Sequence, residues 1–336
     1  MQIGLSMFGT TYAMGLHPRS GRTPLTAEAV IAWALNANLQ GVELPDSILA
    51  AADVPAIARM TQERGLYVSV ACGGYDPAKL GEACRLAAAC GARIVRTVAG
   101  GARIGGDRRN MAGRWGTFLE EVREGLAAAV RIAEREGVAI ALENHQDLAS
   151  EELIWLCESI GSPNFGLTLD TGNPLATAEE PVDFARRIAP YLKNVHLKDY
   201  WIYPSEEGYR LVRCPLGQGA VDFPALLEVF RQFGPQELPM SIEIGALEAR
   251  HIRVLADDYW PDYPDRSAKQ LASLLRFVAA NSKPAADWRT PHEREASPEE
   301  VVAYERAQLR SSIAYMQSLI AEVESGESGE SEEAVS

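Results

Sequence analysis

A chain of 336 residues, 47% of them hydrophobic, has room for one large α/β barrel or two modest domains around a sizeable core. Acidic residues outnumber basic ones by 46 to 32, a formal charge of −14, which argues against nucleic acid or an anionic membrane as partner. No apolar run approaches the ~20 residues that span a bilayer, and residues 1–5 lack the basic flank and cleavage site of a signal peptide, so the expected address is cytoplasmic.

In chain order, short runs dense in Val, Ile and Leu at 3–8, 41–44, 67–71, 94–98, 139–143, 165–170, 194–198 and 240–244 read as buried strands. Helix-like segments lie between them at 27–37, 55–64, 77–90, 115–136, 150–160, 181–188 and 223–233, and another at 267–281 follows the last strand. Gly65, Gly91 and Gly137 stand where three of these helices stop, because glycine accepts the left-handed conformation that closes a helix. Each return to a parallel strand needs a crossover, so this repetition builds a parallel sheet. Eight such units predict an α/β fold, a (β/α)8 TIM barrel over residues 1–281.

Beyond it, Pro284, Pro291 and Pro298 punctuate a C-terminal extension over 282–325, in which 298–324 reads as one long amphipathic helix. Val301, Val302, Leu309, Ile313, Met316, Leu319, Ile320 and Val323 form an apolar stripe at helical spacing. That stripe must bury against its own barrel or a second subunit, and a homo-oligomer formed through this helix is one expectation. The Glu-, Ser- and Gly-rich end, 326–336, reads as a disordered acidic tail. The five cysteines are scattered and form no CxxC pair, so reduced thiols are expected rather than a disulfide framework or zinc knuckle.

In a parallel barrel the active site lies at the C-terminal mouth, built from strand ends. The fifth run closes as Leu142-Glu143-Asn144-His145 and the sixth as Leu169-Asp170-Thr171-Gly172-Asn173. The seventh closes as Val195-His196-Leu197-Lys198-Asp199 and the eighth as Ile242-Glu243-Ile244-Gly245. Singly, an aspartate there is often a helix cap and a histidine a satisfied core group. Their coincidence on four consecutive strands points elsewhere. A carboxylate buried at the end of an apolar strand is costly unless paired, hydrogen-bonded or bound to a cation. Three converging carboxylates repel, and a divalent ion removes that cost. Glu143, Asp170, His196 and Glu243 therefore read as ligands for one divalent metal ion, Mn2+ first, with Mg2+ or Co2+ also suiting the donors.

The runs Ala-Leu-Glu-Asn-His at 141–145, Leu-Asp-Thr-Gly-Asn at 169–173, Val-His-Leu-Lys-Asp at 195–199 and Ile-Glu-Ile-Gly at 242–245 resemble the xylose isomerase-like TIM-barrel family. That family includes sugar and sugar-phosphate isomerases and epimerases, inosose dehydratase-type lyases and metal-dependent endonucleases. The resemblance implies a one-metal site on the same four residues. It also implies that Glu143 and Glu243 act as acid and base on opposite faces of a small sugar substrate, as in the family's ketose epimerases. This chain departs from the pattern where many members have Asp-x-x-His after the sixth strand: it has Asn173 there, and a histidine, His145, two residues beyond Glu143. The endonuclease branch, with its three-zinc cluster, needs more histidines than the five present.

His145 is a further catalytic candidate, since a neutral imidazole suits proton transfer near neutral pH; a contact to a metal ligand or substrate hydroxyl is its other reading. Asn173 is expected to bind a sugar hydroxyl, and Lys198 to neutralise a carboxylate, phosphate or enolate oxygen. Arg210 and Arg213, in a turn-rich loop over 209–219, suit an anionic substrate group. Asp199 reads as a cap or lysine partner, Glu43 as a mouth residue or ion-pair partner, and Tyr200, Trp201 and Tyr203 as sugar-flanking rings or loop packing. Three functions stay open. One is a metal-dependent keto-sugar isomerase or epimerase. Another is a lyase on an oxidised sugar or sugar acid: a dehydratase, a decarboxylase or a 3-oxo-glycoside eliminase. The third is a non-catalytic sugar-binding protein.

Overall fold

The computed structural model describes the backbone of residues 1–333 and the side chains of residues 1–323. Its strands are β1 (Gln2–Ser6), β2 (Gly41–Pro45), β3 (Tyr67–Ala71), β4 (Ile94–Val98), β5 (Ala139–Glu143), β6 (Phe165–Asp170) and β7 (Leu192–Leu197). There follow a hairpin, β8 (Asp199–Ser205) and β9 (Gly208–Cys214), then β10 (Pro239–Ile242) and β11 (Arg250–Ile252). Eight of them close a parallel barrel in the order β1-β10-β7-β6-β5-β4-β3-β2, and β11-β9-β8 form a separate antiparallel sheet.

The helices are α1 (Ala27–Asn36), α2 (Asp46–Ala50), α3 (Val54–Arg64), α4 (Pro77–Ala89), α5 (Trp115–Glu136), α6 (Ser150–Ile160), α7 (Pro181–Ile188), α8 (Phe223–Phe233), α9 (Ala268–Asn281) and α10 (Pro298–Glu333). Their starts are written in the sequence. Asp53, Asp76 and Asp222 each accept a first-turn backbone N–H of α3, α4 and α8, with a proline in that turn. Gly65 and Gly137 close α3 and α5 at φ +63° and +70°.

The strands are two-faced. Val42, Leu44, Val70, Val95, Ile140, Leu142, Leu167, Leu169, Val195, Leu197, Met240 and Ile242 belong to the apolar core shared with the helices. The alternate positions turn into the lumen, and many there are polar: Ser6, Glu43, Arg96, Glu143, Thr168, Asp170, Asn194, His196 and Ser241, all buried. Register sets the heights of the strand ends. Asp170 lies level with His196, His196 with Ser241, and Glu143 with Thr168. Glu243 stands just past β10, its N–H donating to Leu197 O at 3.0 Å.

One expectation needs correction. Residues 209–219 are not one loop: their first half is strand β9, paired along its length with β8, and only the Pro215–Gly219 stretch turns. The apolar stripe of α10 is used within the chain. Leu309 and Met316 join the barrel core, and Val301 and Val302 pack with Tyr12, Ala13 and Ala246, so the stripe buries against its own barrel, the first of its two expected partners. The expected acidic tail over 326–336 falls where side chains, and at 334–336 the backbone, lie outside the described residues.

Candidate metal centre

Glu143, Asp170, His196 and Glu243 each offer a donor atom, and these atoms lie within 4.8 Å of one another. All four residues are buried. His196 Nδ1 stands 2.6 Å from Glu243 Oε2 and 3.4 Å from Glu143 Oε2. Even so, Nδ1, Glu243 Oε2 and both Glu143 oxygens have no hydrogen-bond partner among the described residues. Buried polar atoms left unpaired are costly. A cation shared among three carboxylates and one imidazole nitrogen satisfies them together, so the residues fit a divalent ion.

The other imidazole nitrogen explains how the ring is aimed. His196 Nε2 lies 2.8 Å from Glu43 Oε2, and a carboxylate on one ring nitrogen leaves the other as the lone-pair donor. Glu43 is itself held by Ser6 Oγ at 3.0 Å, Arg96 Nη2 at 3.3 Å and Asn194 Nδ2 at 3.4 Å. Arg96 also places Nε 3.3 Å from Glu143 Oε2, so one guanidinium ties the deeper carboxylate to the upper one. Lys198 donates to Asp170 Oδ2 and reaches Glu243 Oε1 at 3.4 Å. Gly172 N donates to Asp170 Oδ1 at 3.2 Å, and Asn144 Oδ1 accepts the Asp170 N–H at 2.6 Å.

The charges oppose one another. Burial disfavours ionised Glu143, but Arg96 and His196 outweigh it and bring its pKa down to about 2. At Asp170 burial wins: opposed by Lys198 and reinforced by Glu243 and Glu143, it raises the pKa to about 6. Burial also disfavours protonated His196, yet Glu43, Glu243 and Glu143 override it and raise its pKa. Such a cluster of mutually repelling carboxylates is what a bound dication relieves.

His145, two residues past Glu143, is exposed. Asn173 is buried; its Oδ1 accepts from Gln146 Nε2 at 3.1 Å and Tyr200 Oη at 3.2 Å, while its Nδ2 has no partner among the described residues. Asp199 is a turn organiser rather than a lysine partner, accepting the backbone N–H groups of Tyr200, Gly217, Gly219 and Val221 at 2.8–3.0 Å. Trp201 is packing, its Nε1 donating to Gln218 O at 2.9 Å. Arg210 and Arg213 part company, since residues three apart on a strand face opposite ways. Arg213 shares its face with Tyr200, whereas Arg210 lies 4.8 Å from the Trp288 ring centroid, away from the centre. Sequence reasoning missed Arg96 and Gln146 and left Glu43 undecided. An arginine in mid-strand, Ile94-Val95-Arg96-Thr97-Val98, was the available signal.

Residues 31–276 match the family described as xylose isomerase-like TIM barrel. The chain belongs to this family. It is 29% identical to the 3-oxo-isoapionate decarboxylase of Pectobacterium atrosepticum over 100 residues, 29% of this chain and 36% of that protein. It is 39% identical to the 2-epi-5-epi-valiolone 7-phosphate 2-epimerase of an Actinoplanes species over 72 residues, 21% and 26% of the two chains. The curated matches span about half or less of the relatives' own length. The solved structure of an L-ribulose 3-epimerase shares the fold, with a TM-score of 0.55 at 17% identity, covering 96% of this chain and 97% of that one. Among the described residues no helix is long and apolar enough to cross a membrane.

Proposed function

We propose that this family member is a divalent-metal-dependent enzyme that moves a proton beside the carbonyl of a keto-sugar, isomerising or epimerising it. The convergence of Glu143, Asp170, His196 and Glu243 on one point, with buried donor atoms lacking partners, carries this reading. The donor set suits Mn2+ first and Mg2+ or Co2+ next. When bound, the ion supplies Lewis-acid polarisation of the carbonyl and favours the enediolate charge. Glu143 and Glu243 carry the protons: the carboxylate of one accepts from the carbon next to the carbonyl, and the other returns a proton on the opposite face. Glu43 and Arg96 hold His196 and Glu143 in place. Asn173 Nδ2 and His145 are the hydroxyl contacts, with His145 as the alternative base.

A lyase outcome is the second reading, favoured by the stretch similar to a decarboxylase. For a dehydratase or eliminase the first step is the same proton removal, but the electron pair then expels water or an aglycone; for a decarboxylase the bond from carbon to the carboxylate breaks instead, CO2 leaves, and the electron pair left on that carbon takes up a proton. Incubating the Mn2+-loaded protein with keto-sugars and 3-oxo-sugar acids in deuterated water separates the two. Solvent deuterium in a stereoisomeric product supports isomerisation; release of CO2, water or an aglycone supports the lyase. Metal binding without turnover of any member of the panel sinks both and leaves a sugar-binding protein.

A further inference from the structure

The antiparallel sheet over the barrel mouth carries a feature that a neutral sugar does not use. Arg250 on β11 pairs with Leu211 of β9, so Arg213, two residues along β9, is its diagonal neighbour on the same face. Tyr200 of β8 pairs with Arg213 and completes the group. That face looks towards the metal centre. Tyr200 Oη reaches Asn173, and a Cβ on Gly245, two residues after Glu243, would sit 3.1 Å from Arg213 Nη1.

The two arginines are neighbours on this face, and the charge of Arg213 bears on Arg250. Arg250 is only 6% exposed and spends one arm on Glu248 Oε1 at 3.0 Å. Arg213 has no carboxylate within 4.0 Å among the described residues; its partner is the Tyr200 hydroxyl. The Nε of each arginine is buried without a hydrogen-bond partner among the described residues. Arginine does not shed its proton to relieve such crowding. Burial, and then the charge of Arg213, hold the pKa of Arg250 below its ordinary value, the mark of a cation short of anions.

We propose that Arg250 and Arg213 together receive an oxyanion on the substrate, so that the enzyme takes a sugar acid or sugar phosphate rather than a neutral sugar. The assignment rests on the metal-bound sugar reading and narrows its substrate class. Planar forks match carboxylate and phosphate oxygens in bidentate fashion, and neighbouring forks span an anion that a hydroxyl cannot replace. Arg210, on the opposite face of β9, takes no part and serves as the internal control.

The test is isothermal titration of the full Mn2+-loaded chain with three matched ligands: D-fructose, D-fructuronate, which carries a carboxylate at C6, and D-fructose 6-phosphate. At least one anion should bind roughly tenfold or more tightly than D-fructose, and the two arms tell carboxylate from phosphate. Arg250→Gln should erase that preference while D-fructose and Mn2+ affinities stay unchanged, and Arg210→Gln should alter none of them. Arg250→Lys, which keeps the charge but loses the fork, should show an intermediate preference and stands in if the glutamine variant does not fold. The assignment is overturned if D-fructose binds as well as both anions, if neither anion binds, or if Arg250→Gln weakens neutral and charged ligands alike. A wild-type protein that binds Mn2+ and prefers the neutral sugar removes this assignment alone; one that binds no metal removes the metal-enzyme reading with it.

Discussion

Glu43 never touches the point where the four donors meet, yet it decides which histidine nitrogen faces them, since His196 Nε2 is committed to its carboxylate at 2.8 Å. Glu43→Gln keeps the size and one acceptor oxygen but loses the charge that favours the Nε2–H tautomer. Mn2+ affinity should fall by about 10–100-fold, the usual effect of removing a partner that orients a ligand, as read by competition against a chelator. Wild-type affinity in that variant would show that the ring needs no such hold. The four donors were legible in the sequence because each closes a strand and none belongs at the end of an apolar run. Glu43 and Arg96 lie deeper in the lumen, where meaning depends on which strand face turns inward. The alternation in Gly41-Val42-Glu43-Leu44 and Ile94-Val95-Arg96-Thr97 encoded that face, but only barrel closure brings β2 and β4 onto the same histidine.

At the scale of elements, the barrel strands and helices follow from local pattern, and the sheet over the mouth does not. β8 and β9 pair across a tight turn, but β11, their neighbour, starts 36 residues after β9 ends, and the glycines and prolines after Cys214 masked the strand before them. That misreading joined Arg210 with Arg213, which the sheet separates. The sheet is pressed close to the candidate metal centre at Gly172, where a Cβ would meet Tyr200 Cδ2 and Cε2 at 2.5 Å. Tyr200 is fully buried, so Gly172→Ala must push its ring off Asn173. A stability loss of about 1–3 kcal/mol by chemical denaturation is expected, the range for overpacking; a neutral substitution would mean the sheet yields freely. Leu309 anchors α10 in the barrel core at 2% exposure. Leu309→Ala should cost about 2–5 kcal/mol without altering the oligomeric state seen by sedimentation.

At the scale of the molecule, α10 crosses back to the first loop of the barrel, and the link between them is a buried acid. Glu305 Oε1 and Oε2 accept the N–H groups of Tyr12 and Ala13 at 3.2 and 2.8 Å. Burial raises its pKa from 4.5 to about 7, against the opposing pull of those two N–H groups and of Arg213. The folded chain thus holds a proton on Glu305 that the unfolded chain has released between pH 4.5 and about 7. In that window the native state binds more protons, so this residue's contribution to stability is greatest below the lower pH and declines as pH rises through the upper one. Ionising it there works against the fold. Glu305→Gln retains one acceptor oxygen and has no charge to bury, so its stability relative to wild type should climb across that window. The gain should level off above pH 7 at about 3 kcal/mol, the size of the shift at 1.36 kcal/mol per unit. Urea melts of the two proteins at half-unit steps from pH 5 to pH 8.5 measure this difference. Parallel curves would mean that Glu305 stays charged in the folded chain and that the two N–H groups offset its burial.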